Sequence, residues 1–191
     1  VIMAPSCGME LASMLKTALT LKCPTAIRFP RGKSSPPSAL APLIPPGKGE
    51  LLKKGKDLLI LAIGSMVGPA LEAHRILAHK GISCCVINAR FVKPLDRDLI
   101  CSWARKCRRV LIVEEHLTTG GFGSAVLEMF NEEGLTKIHL NRMGLTDPFT
   151  GQGGRDNLLS LYNLTGEGIA LEAEGIFFGR RGLLSRDGAK K

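Results

Sequence analysis

Aromatic side chains are scarce in this chain: its 191 residues hold one Trp and one Tyr, and aromatics reach only 5% in all. Proteins that bind single strands of nucleic acid stack bases on aromatic rings, and duplex binders carry a readable basic module. Neither is present, so no nucleic-acid partner is expected despite a net charge of +9. Long apolar runs are missing too. The longest, Leu58–Ile63, falls far short of the ~20 residues that span a bilayer as a helix. No charged-then-apolar leader opens the chain, and no membrane partner is expected. No Cys-x-x-Cys pair occurs among the six cysteines. Cys84 and Cys85 are neighbours in an apolar run; on a strand they point to opposite faces and should not bridge each other. Cys7, Cys23, Cys101 and Cys107 are scattered. The simplest reading is free thiols in a reducing compartment.

What is present describes a globular chain. A hydrophobic share of 45% argues against disorder, and the length suffices for one good core or two small lobes. The basic charge is uneven. Residues 1–56 carry nine basic residues against Glu10 and Glu50, and residues 179–191 carry five against Asp187. A site for small anionic substrates accounts for the first concentration, and a solvated basic tail for the second. The chain opens on Val1 with strand-like sequence at once, so we expect it to be the C-terminal piece of a longer polypeptide.

The order of elements is α/β. Val1–Ala4 and Thr25–Phe29 read as strands around a helix at Met9–Leu21, a partial βαβ unit with parallel strands. Residues 34–49 carry Pro36, Pro37, Pro42, Pro45 and Pro46 and read as an extended linker. Beyond it strands and helices alternate. Strands are expected at Asp57–Ile63, Ser83–Asn88, Val110–Glu114 and Lys137–Met143, with an edge strand near Gly49–Lys53. Helices are expected at Ser65–Lys80 with Ser65 as its cap, Leu95–Lys106 opening at Asp96, Phe122–Glu133, Arg155–Tyr162 and Thr165–Phe177. Short apolar strands in alternation with helices imply a doubly wound, mostly parallel sheet.

Three motifs could carry chemistry. In Thr25-Ala26-Ile27-Arg28-Phe29-Pro30-Arg31-Gly32, an apolar run ends at a proline that cannot continue a ladder. Gly32 permits a turn and the close approach of a ligand. Arg31 is then a guanidinium on a rigid turn, suited to holding a phosphate or carboxylate with two parallel bonds; both arginines could instead be ordinary surface charges or structural ion pairs. Gly120-Gly121-Phe122-Gly123 lies between a strand and a helix, where phosphates bind. Its third fingerprint glycine is replaced by Val126, so tight strand–helix packing is the plainer reading. Glu114-Glu115-His116 sits at the C-terminal end of a parallel strand, where a carboxylate beside a His can relay protons; one Glu could equally cap a loop while the others face solvent. His74, His79 and His139 are isolated. Arg90-Phe91-Val92-Lys93-Pro94-Leu95-Asp96 reads as a strand-to-helix turn with N-cap chemistry.

These segments also carry a resemblance. Val1-Ile2-Met3-Ala4-Pro5-Ser6, the Phe-Pro-Arg-Gly turn, the Arg90–Asp96 segment and Val113-Glu114-Glu115 resemble the 1-deoxy-D-xylulose-5-phosphate synthase family of transketolase-like thiamine diphosphate enzymes. So do Gly120-Gly121-Phe122-Gly123-Ser124, Gly144-Leu145-Thr146-Asp147 and Arg155-Asp156-Asn157-Leu158-Leu159 running to Glu167-Gly168-Ile169. The resemblance implies that residues 1–33 end a pyrimidine-binding domain, 34–49 link, 50–172 form a transketolase C-terminal-like domain and 173–191 a basic tail. It implies a transferase that decarboxylates pyruvate on thiamine diphosphate with Mg²⁺ and condenses the two-carbon unit with glyceraldehyde 3-phosphate for isoprenoid, thiamine and pyridoxal synthesis. It implies partners in the missing N-terminal and middle domains of the same enzyme, a homodimer, and a bacterial cytoplasm or plastid stroma. Arg31 matches the arginine that holds the acceptor's phosphate, and Arg28 a position of structural role.

The chain lacks the Gly-Asp-Gly motif for diphosphate and Mg²⁺, the glutamate for the aminopyrimidine and the histidines expected around the substrate. No catalytic, cofactor or metal residue is therefore expected on it, and the fragment alone should be inactive. Ser6-Cys7-Gly8 departs from the family, which has an acid there. Two alternatives stand beside this: the tail of another transketolase-like enzyme, such as a 2-oxo acid dehydrogenase β-subunit, and a non-catalytic assembly module.

Overall fold

Five strands form the main sheet of the protein in a computed structural model that describes residues 1–32, 42–146 and 151–179. In chain order they are β3 (Glu50–Lys53), β4 (Leu58–Ala62), β5 (Cys84–Asn88), β7 (Arg109–Leu117) and β8 (His139–Leu145), and in space they run β3-β5-β4-β7-β8. β4, β5, β7 and β8 are parallel, and only edge strand β3 is antiparallel. Every residue of β4 and β5 is buried, as expected of a parallel sheet covered on both faces. Helices α2 (Val67–His79) and α6 (Gly166–Phe177) supply the core on one face. Helices α3 (Arg97–Cys107) and α4 (Phe122–Glu132) supply it on the other. This is the doubly wound, mostly parallel sheet that the alternation implies. Its order reverses at β4: the chain passes outward to β5 and then returns to β7 on the other side.

A second, three-stranded sheet joins the N-terminal βαβ unit to this domain. β1 (Ile2–Met3) pairs in parallel with β2 (Ala26–Ile27) beside helix α1 (Gly8–Thr20), as expected. Its other neighbour is β6 (Phe91–Lys93), antiparallel, with the Ala4 amide donating to the Arg90 carbonyl at 2.8 Å. The sequence reads β6 as part of a turn. It is too short to show a strand period, and its partner is remote in the chain. Beside it, buried Glu10 accepts from the Ser6 amide at 2.6 Å, Asn88 Nδ2 at 3.0 Å and Arg90 Nε at 2.6 Å. Arg90 Nη2 also reaches Glu50 at 2.6 Å. One carboxylate thus links α1 to β5 and β6.

Other expectations need correction. Ser65 does not cap α2: a 3₁₀ turn, Gly64–Met66, precedes the helix, and the Ser65 hydroxyl is committed elsewhere. Asp96 and Thr165 do cap, accepting from the Leu99 and Gly168 amides. In the proline-rich 34–49 segment, residues 34–41 lie outside the described residues, but Ile44 is buried. It is held by a reciprocal pair of bonds between its backbone and Thr17 Oγ1 (2.9 and 3.1 Å). The segment assigned to the basic tail, 173–191, begins inside α6, with Ala173 and Ile176 in the core; residues 180–191 lie outside the described residues.

Cys84 packs on one face of the sheet and Cys85 on the other, as strand alternation requires. All six cysteines are free, four of them buried and Cys7 and Cys23 exposed. Burial pushes the Cys84 and Cys85 thiols up to about 12, which suppresses the reactive thiolate. Thiol titration of the native protein should therefore show two fast-reacting groups, and denaturation without reductant should reveal six. Fewer than six would mean that a bridge has formed.

Candidate functional site

The reversal of strand order places a crevice outside the C-terminal ends of β4 and β7, where open α/β sheets bind ligands. A cleft of about 170 Å³ opens there, lined by Ala4, Arg28, Phe29, Pro30, Ile63, Gly64, Ser65 and Glu115. Its walls have four origins, one of them Ala4, which follows β1. Ile63, Gly64 and Ser65 follow β4, Glu115 comes from β7, and Arg28, Phe29 and Pro30 leave β2. The N-terminal unit and the main domain thus close the crevice together.

Glu115 is the most heavily bonded group in it. Arg155, at the start of α5 (Arg155–Leu161), donates Nε to Oε1 at 2.7 Å and Nη2 to Oε2 at 2.5 Å, and the Ser65 hydroxyl also donates to Oε2. Burial alone would raise its pKa. The bonds from Arg155 and Ser65 outweigh burial, with the charges of Arg155 and Arg28 adding to them, and hold the carboxyl below its usual range. Glu10 is alike: burial raises its pKa, while the Ser6 amide and Arg90 lower it further. Groups depressed in the folded state stabilise above the unfolded pKa and lose that contribution as pH falls. Thermal stability should therefore drop as the pH falls below the ordinary carboxyl value of 4.5. Glu10→Gln and Glu115→Gln should each lower Tm at pH 7 and together flatten the acid limb. Melting curves recorded from pH 7 to pH 3 check this; an acid limb of unchanged slope in the double variant would contradict it.

Glu114 has a different fate from its neighbour. It is fully buried and accepts from the Phe122 and Gly123 amides, each at 2.8 Å. The carboxylate occupies the start of α4, where sequence left room for a phosphate, and meets the positive end of the helix from within. The glycines exist for this packing. A Cβ on Gly121 would lie 2.2 Å from the Leu117 carbonyl and 2.4 Å from Glu114 Oε2. The β7–β8 register shifts between Val113 and Leu117, so Glu114 to His116 leave regular alternation. His116 is exposed, and its Nδ1 lies 3.4 Å from the Leu117 carbonyl. Glu114 caps, Glu115 pairs with Arg155, and the three do not form a proton relay.

Arg31 is exposed on the bend after Pro30 and is not among the residues lining the cleft. Gly32 lies outside the left-handed region, and a Cβ there would meet nothing within 4 Å; backbone conformation does not demand glycine. It is Arg28, read from sequence as structural, that lines the cleft; its amide donates to the Met3 carbonyl at 2.9 Å, while its guanidinium makes no hydrogen bond or ion pair among the described residues. Arg155 was visible only as part of a motif and Ser65 only as a cap. Their convergence on Glu115 has no local signal, since the partners lie 40 and 50 residues away. No group of three or more His, Cys, Asp or Glu side chains suited to a metal occurs among the described residues. No helix among them is long and apolar enough to cross a membrane.

Comparison with known proteins agrees with this architecture. Residues 47–169 match the family model described as transketolase, C-terminal domain. A 1-deoxy-D-xylulose-5-phosphate synthase of Halothermothrix orenii is 48% identical over 166 residues, covering 86% of this chain and 26% of that protein. Synthase 1 of Geobacter metallireducens is 47% identical over 171 residues, covering 88% and 27%. The chain therefore spans about a quarter of the length of the curated relatives it matches. Among solved structures, a split-gene transketolase described as an inactive β4 tetramer superposes with a TM-score of 0.85 at 32% identity, covering 94% of this chain and 58% of that one. A transketolase of Pichia stipitis in complex with sedoheptulose 7-phosphate is similar in fold alone: TM-score 0.60, 20% identity, 95% and 26% coverage. By its sequence match and its doubly wound sheet, this chain belongs to the transketolase C-terminal domain family.

Proposed function

We propose that this chain is the C-terminal part of a 1-deoxy-D-xylulose-5-phosphate synthase, a thiamine diphosphate-dependent transferase that condenses pyruvate, with decarboxylation, and glyceraldehyde 3-phosphate. The observation that carries the reading is identity of 47–48% to named synthases over most of the chain. In this reading residues 1–33 complete a pyrimidine-binding domain, 34–49 connect, and the chain from residue 50 to the end of α6 forms the C-terminal domain. The N-terminal and middle domains would hold thiamine diphosphate and Mg²⁺, which would supply the chemistry of pyruvate decarboxylation; no residue of this chain is assigned to either. Arg31 takes the acceptor's phosphate on an exposed turn. The enzyme works as a homodimer in a reducing compartment, the bacterial cytoplasm or the plastid stroma. A solved relative described as an inactive β4 tetramer supports a chain that assembles without turnover when alone.

The test is a chimaera. The 191-residue chain by itself should bind no thiamine diphosphate in calorimetry, with or without Mg²⁺. Substituted for the matching C-terminal segment of the Halothermothrix orenii synthase, it should support formation of 1-deoxy-D-xylulose 5-phosphate from both substrates. A folded, cofactor-loaded chimaera that releases no product would overturn the reading.

A further inference from the structure

We propose that the crevice between β4 and β7 binds a small organic oxyanion, a carboxylate or phosphate monoester on a short carbon body, and that Arg28 holds it. This site is distinct from the acceptor-phosphate role given to Arg31 and does not depend on it.

Four observations converge. The cleft lies where strand order reverses, the position at which parallel sheets of this class bind ligands. Arg28 lines it with a guanidinium that has no partner among the described residues. The nearby carboxylate that could neutralise it, Glu115, is already bound through both oxygens to Arg155 and through one to Ser65. Arg155, which also lies 3.9 Å from the exposed Asp156, thus occupies the hydrogen-bonding capacity of Glu115, and the Arg28 guanidinium is left without a bonded counter-ion among the described residues. The same cleft has apolar lining: Ala4, Phe29, Pro30 and Ile63. A volume of about 170 Å³ admits a headgroup and a few carbons, not a nucleotide. A guanidinium presents parallel donors to either kind of oxyanion, while the apolar wall rewards a carbon body over a bare inorganic ion.

The site also unites two parts of the chain. Arg28, Phe29 and Pro30 belong to the N-terminal unit, whereas Ile63 and Glu115 belong to the main domain. A ligand seated there touches both and should hold them together.

Butyrate and inorganic phosphate serve as probes, titrated into the 191-residue chain with amide chemical shifts as readout. Butyrate should give saturable shifts centred on Phe29, Gly64 and Ser65 and raise Tm. Arg28→Gln should weaken binding at least tenfold. Arg31→Gln should leave it within twofold. Arg28→Lys, which keeps the charge but not the fork, should fall between wild type and Arg28→Gln. Tighter binding of phosphate than of butyrate, lost in Arg28→Gln, would assign a phosphoryl headgroup; the reverse order would assign a carboxylate. The proposal is overturned if neither probe saturates, if Arg28→Gln binds like wild type, or if Arg31→Gln loses as much as Arg28→Gln. Because the Arg28 side chain makes no hydrogen bond among the described residues and its amide bond to Met3 survives the substitution, Arg28→Gln should melt like wild type without ligand; spectral changes spread beyond the cleft would count against a local binding role.

Discussion

Arg31→Ala, made in an intact enzyme of the proposed kind, should lower kcat/KM for glyceraldehyde 3-phosphate about 100-fold. A charge-assisted bond contributes roughly 1.5–3 kcal/mol, and a bidentate grip on a phosphate sits at the top of that range; about 2.7 kcal/mol corresponds to 100-fold. Arg31 is exposed on the bend after Pro30 and has no partner among the described residues, so its removal should cost no stability. That separates a binding loss from a folding loss. Pyruvate carries no phosphate, so its decarboxylation should be much less affected. Arg31→Lys keeps the charge without the fork and should remain impaired. Steady-state kinetics with each substrate varied in turn decides the matter. Equal damage toward both substrates, or none, would remove Arg31 from the acceptor site.

The largest effect on stability should come from Glu114→Ala. This carboxylate is fully buried and is the acceptor for the Phe122 and Gly123 amides. Without it two buried donors lose their partner, at roughly 1–3 kcal/mol each, and the start of α4 loses its compensating charge, at about 0.3–1 kcal/mol. The sum is about 4 kcal/mol. For a chain of this size that is a fall in Tm of roughly 10 °C. Glu114→Gln keeps one acceptor oxygen but turns a donor toward the second amide, and it should fall about midway. Chemical denaturation, with amide exchange at Phe122 and Gly123, measures both effects. A loss below about 1 kcal/mol would mean that water replaces the carboxylate, which the close packing of Gly121 against it argues against.

The two neighbouring acids show how far a sequence can be read. Glu114-Glu115 at a strand end announces a functional edge, but the division of labour is invisible along the chain. It follows from the register shift after Val113, which turns one carboxylate inward to α4 and the other toward the crevice. The two arginines of the Thr25–Gly32 segment behave likewise. Their sequence marks a turn with available cations, whereas only the approach of β4 and β7 decides that Arg28 faces the cleft and Arg31 does not.

By itself the sequence determined the alternation of strands and helices, the burial of β4 and β5, the cap at Asp96, and the opposite facing of Cys84 and Cys85. These follow from periodicity and local hydrogen bonding, which neighbouring residues settle among themselves. The tertiary structure alone decided the pairing of β1 with β6, the Glu10–Arg90 link, the anchoring of Ile44, and the meeting of Ser65, Glu115 and Arg155. Each of these joins groups 27 to 91 residues apart. Such contacts repay the entropy of closing long loops only once the sheet has assembled, so no local pattern can encode them.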